Sequence, residues 1–345
     1  MPCETQILPT HTAALFQAAV ARAAELLRAG QLVALPTETV YGLAANALDR
    51  QAVSRIYEAK GRPAHNPIIV HVDSVAMARR CVQDWSATAD RLARAFWPGP
   101  LTLVLAKSAA IPEIVTAGGG TVGVRWPSHP FMQAVIRACG FPLAAPSANL
   151  SSQVSPTSAT HVLKALGGRI PLVVDGGPCQ VGIESTVLDL ATRPPRVLRP
   201  GMIHEESLIA ALGSDARRDA GCRGDAGVAG REGELRSPGL LPKHYAPNAK
   251  LALLAWKDDV ELTSLLASRS SRLHPIHVIA HTRIPSGESF GRVAVIPHDP
   301  EAFARAIYAE LHRCDDEGAA LIVVEALPET PPWRAIADRL RRAAR

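Results

Sequence analysis

The sequence predicts an α/β protein built as two units, and three observations carry that expectation. From Leu32 to Leu198, short apolar runs of strand length alternate with stretches of helical period. The pattern then lapses into a segment poor in large apolar side chains, and beyond it a second strand–helix alternation begins. A chain of 345 residues also fits two domains of ordinary size better than one.

In chain order, the first helix should start from Thr12 as N-cap, carry Phe16, Val20, Ala23 and Leu27 on one stripe and stop at Gly30. Strands are expected at Leu32–Pro36, Pro67–Val72, Leu101–Ala106, Thr121–Trp126, Pro142–Ala145, Pro171–Val174, Ser185–Leu190 and Arg196–Leu198. Helices are expected around Val75–Val82, Ala87–Phe96, Pro130–Cys139 and Ala159–Leu166. Periodicity fails between His204 and Asn248, and Gly213–Gly233, rich in Gly, Ala, Asp and Arg, reads as a flexible linker. Strands at Leu251–Trp256, Ile276–Ala280, Val293–Ile296 and Leu321–Val324, with helices at Asp259–Ala267, Pro300–Cys314 and Pro332–Ala344, then read as a small open parallel sheet with helices on its faces. The expected division is a first domain over residues 10–203, a linker or lid over 204–248 and a Rossmann-like domain over 249–345.

No segment approaches the roughly 20 apolar residues that a membrane helix needs. The start, MPCETQILPTHTAALFQ, lacks a basic leader followed by an apolar region and a cleavage site, so a cytoplasmic protein is expected. Six scattered cysteines with no C-x-x-C pair argue against a zinc ribbon or a disulfide framework and for buried, reduced thiols. A net charge of +5 suits anionic small molecules and weak attraction to RNA alike. Gly118–Gly123 matches G-x-G-x-x-G but leads into a strand, so a glycine-rich turn is the better account than a dinucleotide site. There is no G-x-x-x-x-G-K-[ST]. His277 and His281, four apart in a β-run, read as edge or surface histidines, and no protein-built metal site is assigned.

Four stretches carry chemistry. Leu35–Leu43 ends a strand in hydroxyls, a tyrosine and a glycine, at the place where ligands dock on open α/β sheets, although an ordinary strand exit would look the same. In Lys60–Pro67, Pro63 disfavours helix at Arg62, so Lys60 and Arg62 can project from a stiff loop toward a polyanion; a solvated basic loop is the bland alternative. His71, on the strand that follows, is equally compatible with a satisfied half-buried histidine. Alternation in Thr121–Pro127 puts Thr121, Gly123 and Arg125 on one face, and a strand-held arginine suits bidentate capture of a carboxylate, although exposed edge arginines are commoner. Ala145–Thr157 is rich in hydroxyls and amides between a strand and a helix; it can cradle phosphate oxygens or form a polar turn.

The ordered conjunction PTETVYGL, KGRPAHNPIIVHV, FWPGPLTLVL, TVGVRWP, APSANLSSQVSPT, GIESTVLDL and VLRPG resembles the YrdC-like threonylcarbamoyl-AMP synthase family over about Leu26–Met202. Ser237–Gly239, His244–Pro247 and Ala335–Leu340 resemble the linker and closing segment of its two-domain members. The resemblance implies a YrdC-like twisted mixed sheet with helices, and formation of threonylcarbamoyl-AMP from L-threonine, bicarbonate and ATP for modifying an adenosine beside the tRNA anticodon. It implies Lys60 and Arg62 as catalytic residues. Arg62, Asn66, Thr121, Ser147, Asn149, Ser155, Arg199 and Tyr245 become ATP contacts, with Mg²⁺ bound through the phosphates. Thr39, His71, Arg125, Ala145 and Ser185 become threonine contacts. The product would pass to the tRNA threonylcarbamoyl-transferase machinery. Two departures stand out: Ser152 replaces a usual glycine, and Leu240-Leu241-Pro242 replaces the usual lead-in to His244. The rivals are weaker. An RNA-binding module sits poorly with 4% aromatic residues, and the carbamoyl-transfer step of hydrogenase maturation would call for segments this chain lacks.

Overall fold

Residues 4–212, 244–270, 274–286 and 290–345 are described by the computed structural model of the chain. They fall into two units, one within Met1–Ser151 and Ser155–Leu240, the other within Ser152–Val154 and Leu241–Arg345.

The first unit opens with β1 (Gln6–Pro9) and α1 (Ala13–Arg28). Thr12 caps α1, its Oγ1 accepting from Leu15 N at 3.2 Å, and Val20, Ala23 and Leu27 turn inward together with Ala19, Ala24 and Leu26. The chain continues through β2 (Val33–Leu35), β3 (Gly42–Asn46), α2 (Arg50–Lys60), β4 (Val70–His71), α3 (Val75–Cys81), α4 (Ala87–Phe96), β5 (Leu101–Ala106) and β6 (Thr121–Arg125). It ends with α5 (Pro130–Cys139), β7 (Leu143–Ala144), α6 (Ala159–Leu166), β8 (Leu172–Asp175), β9 (Thr186–Asp189), β10 (Arg196–Arg199) and α7 (Glu205–Leu212). The ten strands form one mixed sheet in the order β1-β8-β2-β3-β7-β4-β6-β5-β9-β10. Helix α1 packs against α5, where Phe16 and Phe131 meet edge to face at 5.1 Å.

Three elements depart from expectation. β1 pairs in parallel with β8, so the first unit begins ahead of residue 10. β3, read as a loop exit, consists mainly of small residues of low strand propensity, yet it pairs antiparallel with both β2 and β7. Helix α2 is signalled by Asp49, whose Oδ1 accepts from Gln51 N and Ala52 N, and stops at Gly61 in the left-handed region at φ 57°. Lys60 therefore ends a helix instead of projecting from a loop.

The periodicity lapse also starts later than His204. α7 packs on α4 and buries Leu208 and Leu212 in the first core, so residues 205–212 belong to the first unit. Gly213–Gly233 and Leu240–Pro242 lie outside the described residues.

In the second unit β11 (Lys250–Leu254), α8 (Asp259–Ser270), β12 (Ile276–Ala280), β13 (Arg292–Val295), α9 (Pro300–Asp316), β14 (Leu321–Glu325) and α10 (Arg334–Ala343) build an all-parallel sheet ordered β11-β14-β12-β13. The reading of His277 and His281 as edge or surface residues is corrected here. β12 is an inner strand, and both side chains are buried, His281 stacking on His298 and Trp333. Glu325 Oε2 accepts from the backbone N–H groups of His281, Thr282 and Arg283, which fixes the loop leaving β12. Among the described residues Cys81, Cys139, Cys179 and Cys314 are buried free thiols, and no helix is long and apolar enough to cross a membrane.

Candidate active site

Beyond β2, Thr37 closes a tight hydroxyl turn: its Oγ1 donates to Val40 O at 2.6 Å and accepts from Thr39 N and Val40 N. That turn presents Glu38 and Thr39 to the end of β6, where Arg125 sits on the face that alternation assigns to it. Arg125 is buried. Its Nη1 donates to Thr39 Oγ1 at 3.0 Å, its Nε to Gly99 O at 3.3 Å, and its Nη2 lies 2.7 Å from Glu38 Oε1. Burial alone would raise the Glu38 carboxyl, but the Arg125 charge and its hydrogen bond win and hold it below the usual range.

His71 is the partner of Arg125 in the β4–β6 register. Burial, helped by the Arg125 charge, pushes its pKa down to about 3, so it is a neutral imidazole. Its Nδ1 has no hydrogen-bond partner among the described residues.

Lys60 and the segment Ala145–Ser151 form one assembly. The buried Lys60 Nζ donates to Ser147 O at 2.6 Å, to Asn149 O and to Asn149 Oδ1 at 3.3 Å, and Ser151 N donates to Lys60 O at 2.9 Å. The same segment is stitched to the β2–β3 exit by Leu43 N to Pro146 O and Ala148 N to Tyr41 O, and to β4 by Ala145 N to Ile69 O. Ala145 is thus held by its backbone, and Ser147 is left half-buried.

Arg62 folds onto its own loop: Nε donates to Asn66 O at 3.1 Å, and Nη2 to Asn66 Oδ1 and Pro67 O, each at 2.7 Å. Asn66 is fully buried, and its Nδ2 has no hydrogen-bond partner among the described residues. A small cleft runs alongside, lined by Pro67, Ile69, Thr102, Thr121, Gly123 and Val187 among others. Past it, Arg199 Nε and Nη2 donate to Ser185 O and Oγ, both at 3.1 Å, and Ser185 Oγ lies 2.8 Å from Thr102 Oγ1. Ser155 Oγ donates to Glu184 Oε1 at 2.6 Å.

Every residue expected in the site belongs to the first unit except Tyr245. Tyr245 is buried in the second unit with a left-handed backbone at φ 63°, its ring stacked on Tyr308 and 5.2 Å from the Arg339 guanidinium carbon. Three participants escaped the sequence reading: Glu38, Glu184 and Thr102. Their partners are distant in sequence, Arg125 standing 87 residues from Glu38, so no local pattern pairs them; the signal available was a carboxylate set among hydroxyls and apolar residues in PTETV and GIEST. Among the described residues no group of three or more His, Cys, Asp or Glu is placed to hold a metal ion.

The Sua5–YciO–YrdC family model, described as telomere recombination, matches residues 25–201, and a model described as threonylcarbamoyl-AMP synthase, C-terminal domain, matches residues 203–345. The threonylcarbamoyl-AMP synthase of Pyrococcus abyssi is 39% identical over 326 residues, which cover 93% of this chain and 93% of that protein. That of Bacillus subtilis is 40% identical over 333 residues, 94% of this chain and 92% of the relative. A crystal structure of P. abyssi Sua5 complexed with L-threonine superposes with a TM-score of 0.87 at 36% identity, covering 99% of this chain and 97% of that one.

Proposed function

The chain belongs to the threonylcarbamoyl-AMP synthase family, and on that footing we propose that its first unit condenses L-threonine, bicarbonate and ATP to threonylcarbamoyl-AMP and pyrophosphate for tRNA modification. The reaction is an adenylyl transfer. The threonine amine and bicarbonate lose water to give a carbamate; a carbamate oxygen forms a bond to the α-phosphorus of ATP as the bond to the bridging oxygen breaks and pyrophosphate leaves.

The observation that carries this reading is the set of four buried basic side chains, Lys60, Arg62, Arg125 and Arg199, in one unit beside a loop of hydroxyls and amides; burial, with the Arg62 charge beside it, holds Lys60 well below the usual lysine range. Both reacting partners are anions, so the barrier falls chiefly through alignment and charge neutralisation, and orientation alone can supply about 7–11 kcal/mol. No enzyme nucleophile is required. Arg125 with Thr39 takes the threonine carboxylate and hydroxyl side, with the neutral His71, Ala145 and Ser185 lining that end. Arg62, Asn66, Thr121, Ser147, Asn149, Ser155 and Arg199 take ATP, and the unpartnered Asn66 Nδ2 supports a nucleotide-side acceptor there. Lys60, whose three donors all go to Ser147 and Asn149, acts mainly by shaping the phosphate loop.

ATP enters as its magnesium complex. The acidic groups of the site are engaged, Glu38 with Arg125 and Glu184 with Ser155, and this donor set fits a metal carried on phosphate oxygens better than a protein cage. We assign the protein to the cytoplasm and its product to a tRNA threonylcarbamoyl transferase, with weak RNA affinity from its net positive charge.

The test is incubation with L-threonine, bicarbonate, Mg²⁺ and ATP, followed by mass detection of threonylcarbamoyl-AMP and pyrophosphate. The adduct should need all three substrates and be lost in Arg62→Ala; ATP binding without adduct would sink the assignment.

A further inference from the structure

The guanidinium that the proposed reaction offers to the threonine carboxylate already holds a carboxylate of the chain. Arg125 Nη2 and Glu38 Oε1 are 2.7 Å apart, and their side chains are only 5% and 7% exposed. The other titratable groups facing the pair come from three elements: His71 on β4, His129 at the N-cap of α5, and Cys179 in the loop after β8. None of them is a cation near neutral pH. His71 stays neutral, burial pushes His129 down, and burial pushes the Cys179 thiol up to about 12. Arg125 is therefore the charge that offsets the burial of Glu38.

We propose that Glu38 is a built-in counter-ion that keeps Arg125 aimed before substrate arrives, then yields it to the carboxylate of L-threonine and takes up a proton from solvent. Glu38 is thus a positioning residue acting through Arg125, and the inference rests on the reading of Arg125 given above. Two carboxylates on one buried guanidinium repel each other, and an unpaired buried carboxylate is costly, so one of them binds a proton. The threonine carboxylate is intrinsically the stronger acid, with a pKa of about 3.5 against about 4.3 for a glutamate. Glu38, stripped of the Arg125 charge, keeps only backbone hydrogen bonds at Ser128 and Glu38 against its burial, which is the largest influence on it and favours the neutral form. The proton ends on Glu38, and threonine recognition becomes linked to pH.

The experiment is calorimetric titration of L-threonine into the full chain near pH 7, without ATP, in buffers of different ionisation enthalpy. The wild type should take up close to one proton per threonine, and His129→Asn should leave that uptake intact. In Glu38→Gln the uptake should vanish and threonine should bind roughly tenfold tighter, because the competing ion pair on Arg125 has gone. If the wild type binds threonine with no proton exchange, the counter-ion role is wrong, and this wild-type series decides the matter even if Glu38→Gln fails to fold. Arg125→Gln addresses the underlying reading separately: undiminished threonine binding in that variant overturns the assignment of Arg125, whereas lost binding with no wild-type proton uptake overturns only the role of Glu38.

Discussion

Replacing His71 by Gln should flatten the acid side of the stability curve. The imidazole is neutral in the folded protein, its pKa pushed down to about 3, while the unfolded chain titrates near the ordinary 6.5. Between those values the unfolded state binds more protons than the folded one, so stability falls as pH falls through the window. At pH 5 that one linkage costs the wild type about 2 kcal/mol relative to neutral pH. Glutamine is neutral throughout, so the difference between the variants at pH 7 reports lost packing, and the change in that difference toward pH 5 reports the titration alone. Urea denaturation followed by fluorescence of the first unit's Trp85, Trp97 and Trp126 reads both. Curves for wild type and variant that run parallel from pH 7 to 5 would refute a buried neutral His71.

Three further substitutions probe the loops around the site. Ser152 adopts the left-handed backbone at φ 68°, so Ser152→Gly should stabilise the protein by about 0.5–1 kcal/mol, seen as a higher urea midpoint with an unchanged slope. A Cβ at Gly201 would lie 2.3 Å from Thr186 N and 2.7 Å from the carbonyl carbon of Ser185; Gly201→Ala should cost about 1–3 kcal/mol and lower threonine affinity by displacing Ser185. Lys60→Met removes a buried Nζ with three acceptors and should destabilise by about 1–3 kcal/mol. Its residual activity should show a raised ATP KM, measured by pyrophosphate release; an unchanged KM would contradict the loop-shaping role.

Much of the local structure of the candidate site was legible because its motifs are local. The hydroxyl turn Thr37–Thr39, the face of Arg125 on β6 and the polar segment Ala145–Ser151 follow from short-range periodicity and turn chemistry. Helix α1 and its Thr12 cap were legible for the same reason. The departures come from long-range pairing. β3 is a strand because β2 and β7 flank it, not because Gly-Leu-Ala-Ala-Asn favours one, and His277 is buried because β13 closes the sheet beyond it. Ser152 explains its own departure from glycine only in three dimensions, where it bears a backbone angle that glycine would adopt without strain.

By itself the sequence determined the two-unit α/β organisation, the order of the motifs and which residue types face one another along a single strand. All of these rest on interactions within a few residues, or on a resemblance carried by contiguous stretches. Only the tertiary structure decided what each charged group touches. Lys60 Nζ donates to the backbone oxygens of Ser147 and Asn149, and Arg125 has Glu38 as its partner. A buried charge takes its role from whichever group shares its low-dielectric surroundings, and for Arg125 that group is brought in by a chain segment 87 residues away.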